Sequence, residues 1–257
     1  MKSKVILMSI DGMRPDGLAQ CGNPYVEQLK KEASYTFAAQ TVFPSVTLPC
    51  HMSLFYSLPP MRHGVTSNTF VPQVHHVTGL FEKLKAYGSV NAFFYGWEPL
   101  RDVAPPSSCK FATYINAYMD ESVDTLLTDE AIRTIRERKP DFVFLYQVET
   151  DEKGGHDSGW MTDEYLRRIH IAIGNAKRVI EEFGDEYTVI ITADHGGHDR
   201  MHGSDLPEDM TVPMFFRGPQ FEAGRELENV SILDITPTIA SLMGVEPERE
   251  WEGKALC

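Results

Sequence analysis

Apolar positions along the chain fall into two patterns. Short β-branched or aromatic runs alternate with longer stretches of helical period, as expected of a mostly parallel sheet with crossover helices. The runs predict strands at residues 4–10, 89–94, 141–148, 187–192 and 211–217. Helices are predicted at 24–33, 122–138, 162–183 and 234–243, with 52–58 as a further helical stretch. Ser122 follows the acidic pair Asp120 and Glu121, and Pro237 sits in the first turn after Asp234; both suit helix starts. No repeat or low-complexity tract interrupts the pattern, and the Pro105-Pro106-Ser107-Ser108 stretch reads as a surface loop.

Polar residues are spread unevenly over this frame. Three strands run into acidic residues: Ile10 into Asp11, Val148 into Glu149 and Asp151, and Ala193 into Asp194. In open α/β sheets the ligand crevice lies at the carboxyl edge, so these carboxylates are expected to converge. His156, His195, His198 and His202 follow the last two groups. Carboxylate with imidazole suits zinc, manganese or iron, zinc being the commonest in hydrolytic sites. A lone Asp after a strand is ordinarily a helix N-cap. Three of them, two closely followed by histidine, are hard to obtain from capping alone. His75 and His76, in a polar loop without a nearby carboxylate, are expected to be solvated, and His170 to pack or face solvent.

Composition narrows the partners. The 257 residues are 42% hydrophobic and 24% charged, ordinary for a folded protein, and the length fits a single domain over 1–257. A net charge of −13 argues against duplex nucleic acid and an anionic membrane surface, and an anionic substrate would need a local positive centre. The apolar run after Lys2 and Lys4 is too short for a signal sequence and ends in Asp11. No stretch approaches the roughly 18 apolar residues of a membrane span. Cys21, Cys50, Cys109 and Cys257 lack metal or disulfide-scaffold spacing, so a reducing cytoplasm is expected. Composition does not determine the oligomeric state.

The segment TVFPSVTLPCH, residues 41–51, crowds hydroxyls, a thiol and an imidazole around two prolines. Together with SIDGMRPD (9–16), RHGVTSN (62–68), TDEKGGHDSG (150–159), TADHGGH (192–198), MHGSDLPEDMTVPMFF (201–216) and DITPTIASLMG (234–244), it resembles the alkaline phosphatase superfamily. The branch it is most similar to is that of nucleotide pyrophosphatases and type I phosphodiesterases. The resemblance implies a three-layer α/β/α sandwich around a mostly parallel sheet, without a large cap insertion, and a site for two divalent metal ions, zinc or alternatively manganese. It implies one metal on Asp11, Thr47, Asp194 and His195, and the other on Asp151, His156 and His202.

By the same resemblance Thr47 is the nucleophile, near a helix N-terminus that favours anions. Asn68, five residues after His63, would donate to a phosphoryl oxygen; a turn asparagine is the alternative. The implied activity is a phosphodiesterase or nucleotide pyrophosphatase acting on a small phosphate ester through a phosphothreonine. A phosphomonoesterase or phosphomutase of the same superfamily, and an inactive metal-binding module, are the alternatives. Cys50 and His51 are expected to be neighbours without forming a catalytic pair, and histidine where sulfatases carry arginine disfavours sulfatase chemistry.

Two departures stand out. Asp151 and His156 are five residues apart, where the family spaces the pair by four. Either the segment bulges at Gly154-Gly155, or Glu152 takes the ligand position. Leu48 replaces the aromatic residue that nucleotide-hydrolysing members place after the nucleophile, and Phe70, Tyr95 and Trp97 are available as a substrate wall.

Overall fold

The computed structural model describes residues 2–119 and 122–257; the acidic pair Asp120 and Glu121 lies outside the described residues. Seven strands form one sheet: β1 (Lys4–Ile10), β2 (Ser34–Gln40), β3 (Asn91–Tyr95), β4 (Phe111–Tyr114), β5 (Phe142–Gln147), β6 (Tyr187–Thr192) and β7 (Thr211–Arg217). Their order is β2-β7-β6-β1-β5-β3-β4. β1 pairs in parallel with β5 and β6, and β3 with β4 and β5, while β7 runs antiparallel between β6 and β2. The strands predicted from sequence all occur. The two that were not, β2 and β4, lie at the sheet's margins and lack a continuous buried run: β2 mixes buried with more exposed residues, and β4 alternates half-buried and exposed ones.

The helices, in chain order, are α1 (Pro15–Gln20), α2 (Tyr25–Glu32), α3 (Thr47–Tyr56), α4 (Pro60–His63), α5 (Leu80–Ala86), α6 (Val123–Arg138), α7 (Asp163–Phe183), α8 (Pro207–Met210) and α9 (Ile235–Leu242). α3, α5 and α9 pack together, and α1, α2 and α6 pack on α7, giving a helical layer on each side of the sheet. β1, β5 and β6 are buried almost throughout, as strands covered on both faces must be. Thr162 caps α7 by accepting the Tyr165 N–H. The sheet order sets the site: β6, β1 and β5 are consecutive, so the residues following them emerge side by side at one edge.

Candidate functional site

Asp11, Asp151 and Asp194 meet at that edge, all but buried. Asp11 leaves β1 with its N–H donated to the Gln147 carbonyl at 2.9 Å. Gly12 follows at φ +66°, where a Cβ would stand 2.9 Å from Asp151 Oδ1; only glycine lets the two strand ends approach this closely. The Gly12 carbonyl accepts the Trp160 indole at 3.0 Å and the Tyr165 hydroxyl at 2.8 Å, tying the turn to α7 and its lead-in.

Glu149 behaves otherwise. It turns away from the edge, pairing with Arg168 at 3.0 Å, and its N–H and that of Val148 are accepted by buried Asp124 at the start of α6. Its expected convergence with the other acids is therefore corrected: an arginine on α7 neutralises it outside the site.

The five-residue gap from Asp151 to His156 has a structural explanation. Residues Thr150–Ser158 form a π-helical turn, which widens the repeat by about one residue relative to an α-helix. Asp151 Oδ2 and His156 Nε2 consequently lie 3.4 Å apart. The glycines permit the packing around this turn: a Cβ on Gly155 would stand 2.5 Å from the Trp160 ring. Asp151 Oδ1 is also 3.9 Å from His202 Nε2. Glu152 instead has the Tyr118 hydroxyl at 3.5 Å. Of the two acids, Asp151 is the one turned toward the histidines.

Thr47 is the first residue of α3 and is buried, with its Oγ1 3.1 Å from His195 Nε2. That nitrogen is 3.3 Å from Asp11 Oδ1 and 3.4 Å from Asp194 Oδ2. The Asn68 side-chain oxygen accepts the Leu48 N–H at 3.0 Å, leaving its NH2 as donor where Asn68 lines the cavity beside Thr47. The Leu48 N–H is thereby taken by Asn68 and Pro49 has none, so neither is available to an anion at the start of α3. Leu48 is fully buried, so this position faces the core and not a substrate.

Each histidine of the site commits Nδ1 to a backbone carbonyl: His195 to Gly196 at 2.7 Å, His202 to Ser45 at 2.9 Å and His156 to Arg200 at 3.0 Å. Nδ1 then carries the proton, and the Nε2 lone pair faces inward, the arrangement typical of metal-ligating imidazoles. Asp11 Oδ1, Asp151 Oδ1 and Asp194 Oδ2 are buried without a hydrogen-bond partner. Burial and mutual repulsion hold the Asp11 and Asp151 carboxyls well above the usual range. Burial also raises that of Asp194, but His195 and His51 outweigh it and lower the net value. Three crowded carboxylates with unpartnered oxygens fit divalent cations, which would neutralise them.

Among the described residues, two groups have potential ligand atoms within 4.8 Å of one another: Asp11, Asp194 and His195, and Asp151, His195 and His202. The first, with Thr47, matches the first expected set. In the second, His195 stands where His156 was expected; the His195 and His202 rings stack at 3.9 Å, and His156 lies at the outer side, 38% exposed.

Some residues at the site escaped sequence reasoning. The Tyr146 hydroxyl donates to Asp11 Oδ2. His51 lies with Nδ1 2.8 Å from the Thr47 carbonyl and 3.4 Å from Asp194 Oδ2. A helix beginning at Thr47 puts residue 51 one turn on, a signal that was available; nothing in the sequence singles out Tyr146. Cys50 is buried against the Thr41 hydroxyl, its thiol pushed up by burial, so it makes no pair with His51. His198 bonds Asp209 at 2.7 Å, outside the metal groups. His170 is exposed, 3.1 Å from the Cys21 carbonyl. His75 and His76 are exposed, but His76 has a carboxylate neighbour, Glu82, at 3.6 Å. Of the three aromatics, Trp97 lines the site cavity of about 150 Å³, Phe70 lines a separate hollow and Tyr95 stacks on Phe93 at 4.4 Å.

Comparison with known proteins follows the same lines. Mouse ectonucleotide pyrophosphatase/phosphodiesterase family member 1 is 26% identical over 218 residues, covering 74% of this chain and 24% of that protein. The 2,3-bisphosphoglycerate-independent phosphoglycerate mutase of Clostridioides difficile is 29% identical over 136 residues, 51% of this chain and 26% of that one. The chain thus spans about a quarter of the length of these curated relatives. The structure of human ectonucleotide pyrophosphatase/phosphodiesterase 5 superposes with a TM-score of 0.83 at 16% identity, covering 98% of this chain and 97% of the other, a likeness of fold. With residues 5–206 matching its family model, the chain belongs to the type I phosphodiesterase/nucleotide pyrophosphatase family.

Proposed function

We propose that the protein is a metal-dependent phosphohydrolase that cleaves a phosphodiester through a covalent intermediate on Thr47. The observation that carries this reading is the Thr47 hydroxyl beside His195, flanked by two carboxylate–imidazole groups. Asp11, Asp194 and His195, with Thr47, would hold one divalent ion, and Asp151 and His202, with His156, the other. Zinc suits this donor set best and manganese next. When bound, the ions would neutralise the phosphate and the oxygens entering and leaving it.

Thr47 Oγ1 attacks phosphorus in line, forming an O–P bond as the bond to the leaving oxygen breaks. The threonine proton ends on the departing alcohol. Water then cleaves the phosphothreonine, releasing the monoester and restoring the hydroxyl. The Asn68 amide donates to a non-bridging oxygen, and the start of α3 favours the negative charge. Tyr146, donating to Asp11 Oδ2, fixes the carboxylate so that Oδ1 faces the site.

A monoester reading has one support, the similarity to a phosphoglycerate mutase over half of this chain. Turnover of an aryl diester and an aryl monoester by zinc- or manganese-loaded protein, with trapping of phosphate on Thr47, separates the readings. A preference for the diester with label on Thr47 is expected; absence of turnover on any phosphate ester would remove the hydrolase reading. A reducing cytoplasm is proposed for the chain, supported by its four unpaired cysteines.

A further inference from the structure

Trp160 joins the segments that carry the ligands of the second group. It is buried, its indole N–H donates to the Gly12 carbonyl at 3.0 Å, and its backbone N–H donates at 2.8 Å to the carbonyl of Asp199, in the turn before His202. The His156 and His202 rings stand steeply inclined to it, with centroids 5.4 and 6.1 Å away and interplanar angles of 84° and 63°. Two glycines make room for the indole: a Cβ on Gly155 would lie 2.5 Å from it, and one on Gly197 would overlap it. The backbone on either side is unusual. Gly159 has φ +107° and Met161 has φ +66°, a left-handed conformation that a long side chain rarely adopts and that persists only where the surroundings enforce it.

Hydrogen bonds alone do not orient the two histidines. Nδ1 of His156 bonds the Arg200 carbonyl and that of His202 the Ser45 carbonyl, which fixes one point on each ring and leaves it free to swivel about that bond. An indole packed against both rings removes this freedom and keeps each Nε2 toward Asp151, at 3.4 Å from His156 and 3.9 Å from His202. Freedom already lost in the folded protein is not lost again on binding, so ligands oriented in this way bind an ion more tightly. The first group is held by other means. The Gly196 carbonyl holds His195, the Tyr146 hydroxyl holds Asp11, and the Gly12 N–H donates to Asp194 Oδ1 at 3.3 Å.

We propose that Trp160 is a positioning residue for the second divalent ion, orienting His156 and His202, and that its indole and the widened turn between Asp151 and His156 work as one unit. This inference rests on the metal-dependent reading above, and one titration separates the two. Metal-free protein is titrated with zinc in competition with a chromophoric chelator, and the wild type should take up two equivalents. Trp160→Leu should weaken the second by about tenfold to a hundredfold and leave the first within about twofold. Trp160→Phe, which keeps an aromatic ring, should recover part of that loss. Equal weakening of both ions, or of neither, would overturn the role of Trp160 and leave the two-ion site standing. If Trp160→Leu does not fold, Trp160→Phe decides: selective weakening of the second ion supports the proposal, and wild-type affinity for both overturns it.

A wild type that binds fewer than two ions would count against the metal-dependent reading instead. The orienting role is then read without metal, by nitrogen-15 NMR of the histidine rings at about pH 8, where imidazole is neutral. His156 and His202 should each show a single tautomer protonated on Nδ1 in the wild type and a mixture in Trp160→Phe. The same single tautomer in both proteins would overturn the proposal.

Discussion

Thr47 Oγ1 lies 3.1 Å from His195 Nε2, while His195 Nδ1 is held by the carbonyl of Gly196, the next residue, at 2.7 Å. The imidazole is thereby locked with its lone pair toward the hydroxyl, Asp11 and Asp194. A hydroxyl, a carboxylate pair and an imidazole share one point, although Thr47 is 148 residues from His195.

Removing the hydroxyl tests the covalent route. Thr47→Ala should lower turnover by about a thousandfold or more, and Thr47→Ser should retain a measurable part of it. Metal content, read by mass spectrometry, should stay near that of the wild type in Thr47→Ala, because the carboxylates and imidazoles remain. Unchanged turnover in Thr47→Ala would exclude attack by Thr47.

The adjacent acids should respond differently. Asp151→Asn should lose one equivalent of tightly bound metal, and Glu152→Gln should keep both, measured by titration of the metal-free protein. Loading to about a hundredfold above Kd should add about 3 kcal/mol of stability, and chelation should reverse the rise in melting temperature. Loss of an equivalent in Glu152→Gln alone would move the ligand role to that residue.

The π-turn is expected to be intolerant of a side chain. Gly155→Ala sets a Cβ 2.5 Å from the Trp160 ring, which also contacts the Gly12 carbonyl through its indole N–H. The substitution should cost about 1–3 kcal/mol in urea unfolding and weaken metal binding at Asp151. A variant with wild-type stability and affinity would show that the ring is free to move.

His63 supplies an acid-sensitive element away from the metal groups. It is buried, with Nε2 2.9 Å from the Ser53 hydroxyl, and burial lowers its pKa from about 6.5 to about 4. Between those values the unfolded chain takes up a proton that the folded chain does not, so stability falls with pH, by up to about 3 kcal/mol, and is unaffected above pH ~6.5. The gap in unfolding free energy between wild type and His63→Gln should therefore narrow as pH is lowered from 7.5 to 4.5. A constant gap would show that His63 gains a proton in the folded state too.

Legibility followed the local physics. β1, β6 and β7 were read to the residue because their runs are bounded by charges and turns, and α6 and α7 to within one residue of their caps. β2 and β4 escaped because marginal strands lack a buried run. Among the acids, Asp11, Asp151 and Asp194 were found by their strand-end positions, but the same rule included Glu149. Its pairing with Arg168 on a distant helix has no local mark.

The sequence by itself determined the class of fold and marked the carboxylates, imidazoles and hydroxyl that the structure brings together, because periodicity and donor chemistry are properties of single residues and their near neighbours. Only the tertiary structure decided that Asp151 and not Glu152 turns to the histidines, that His195 stands between both groups, and that Tyr146 contacts Asp11 and His51 contacts Asp194. Those outcomes depend on which strands lie side by side and how the turn after β5 winds, and such relations arise when distant segments pack.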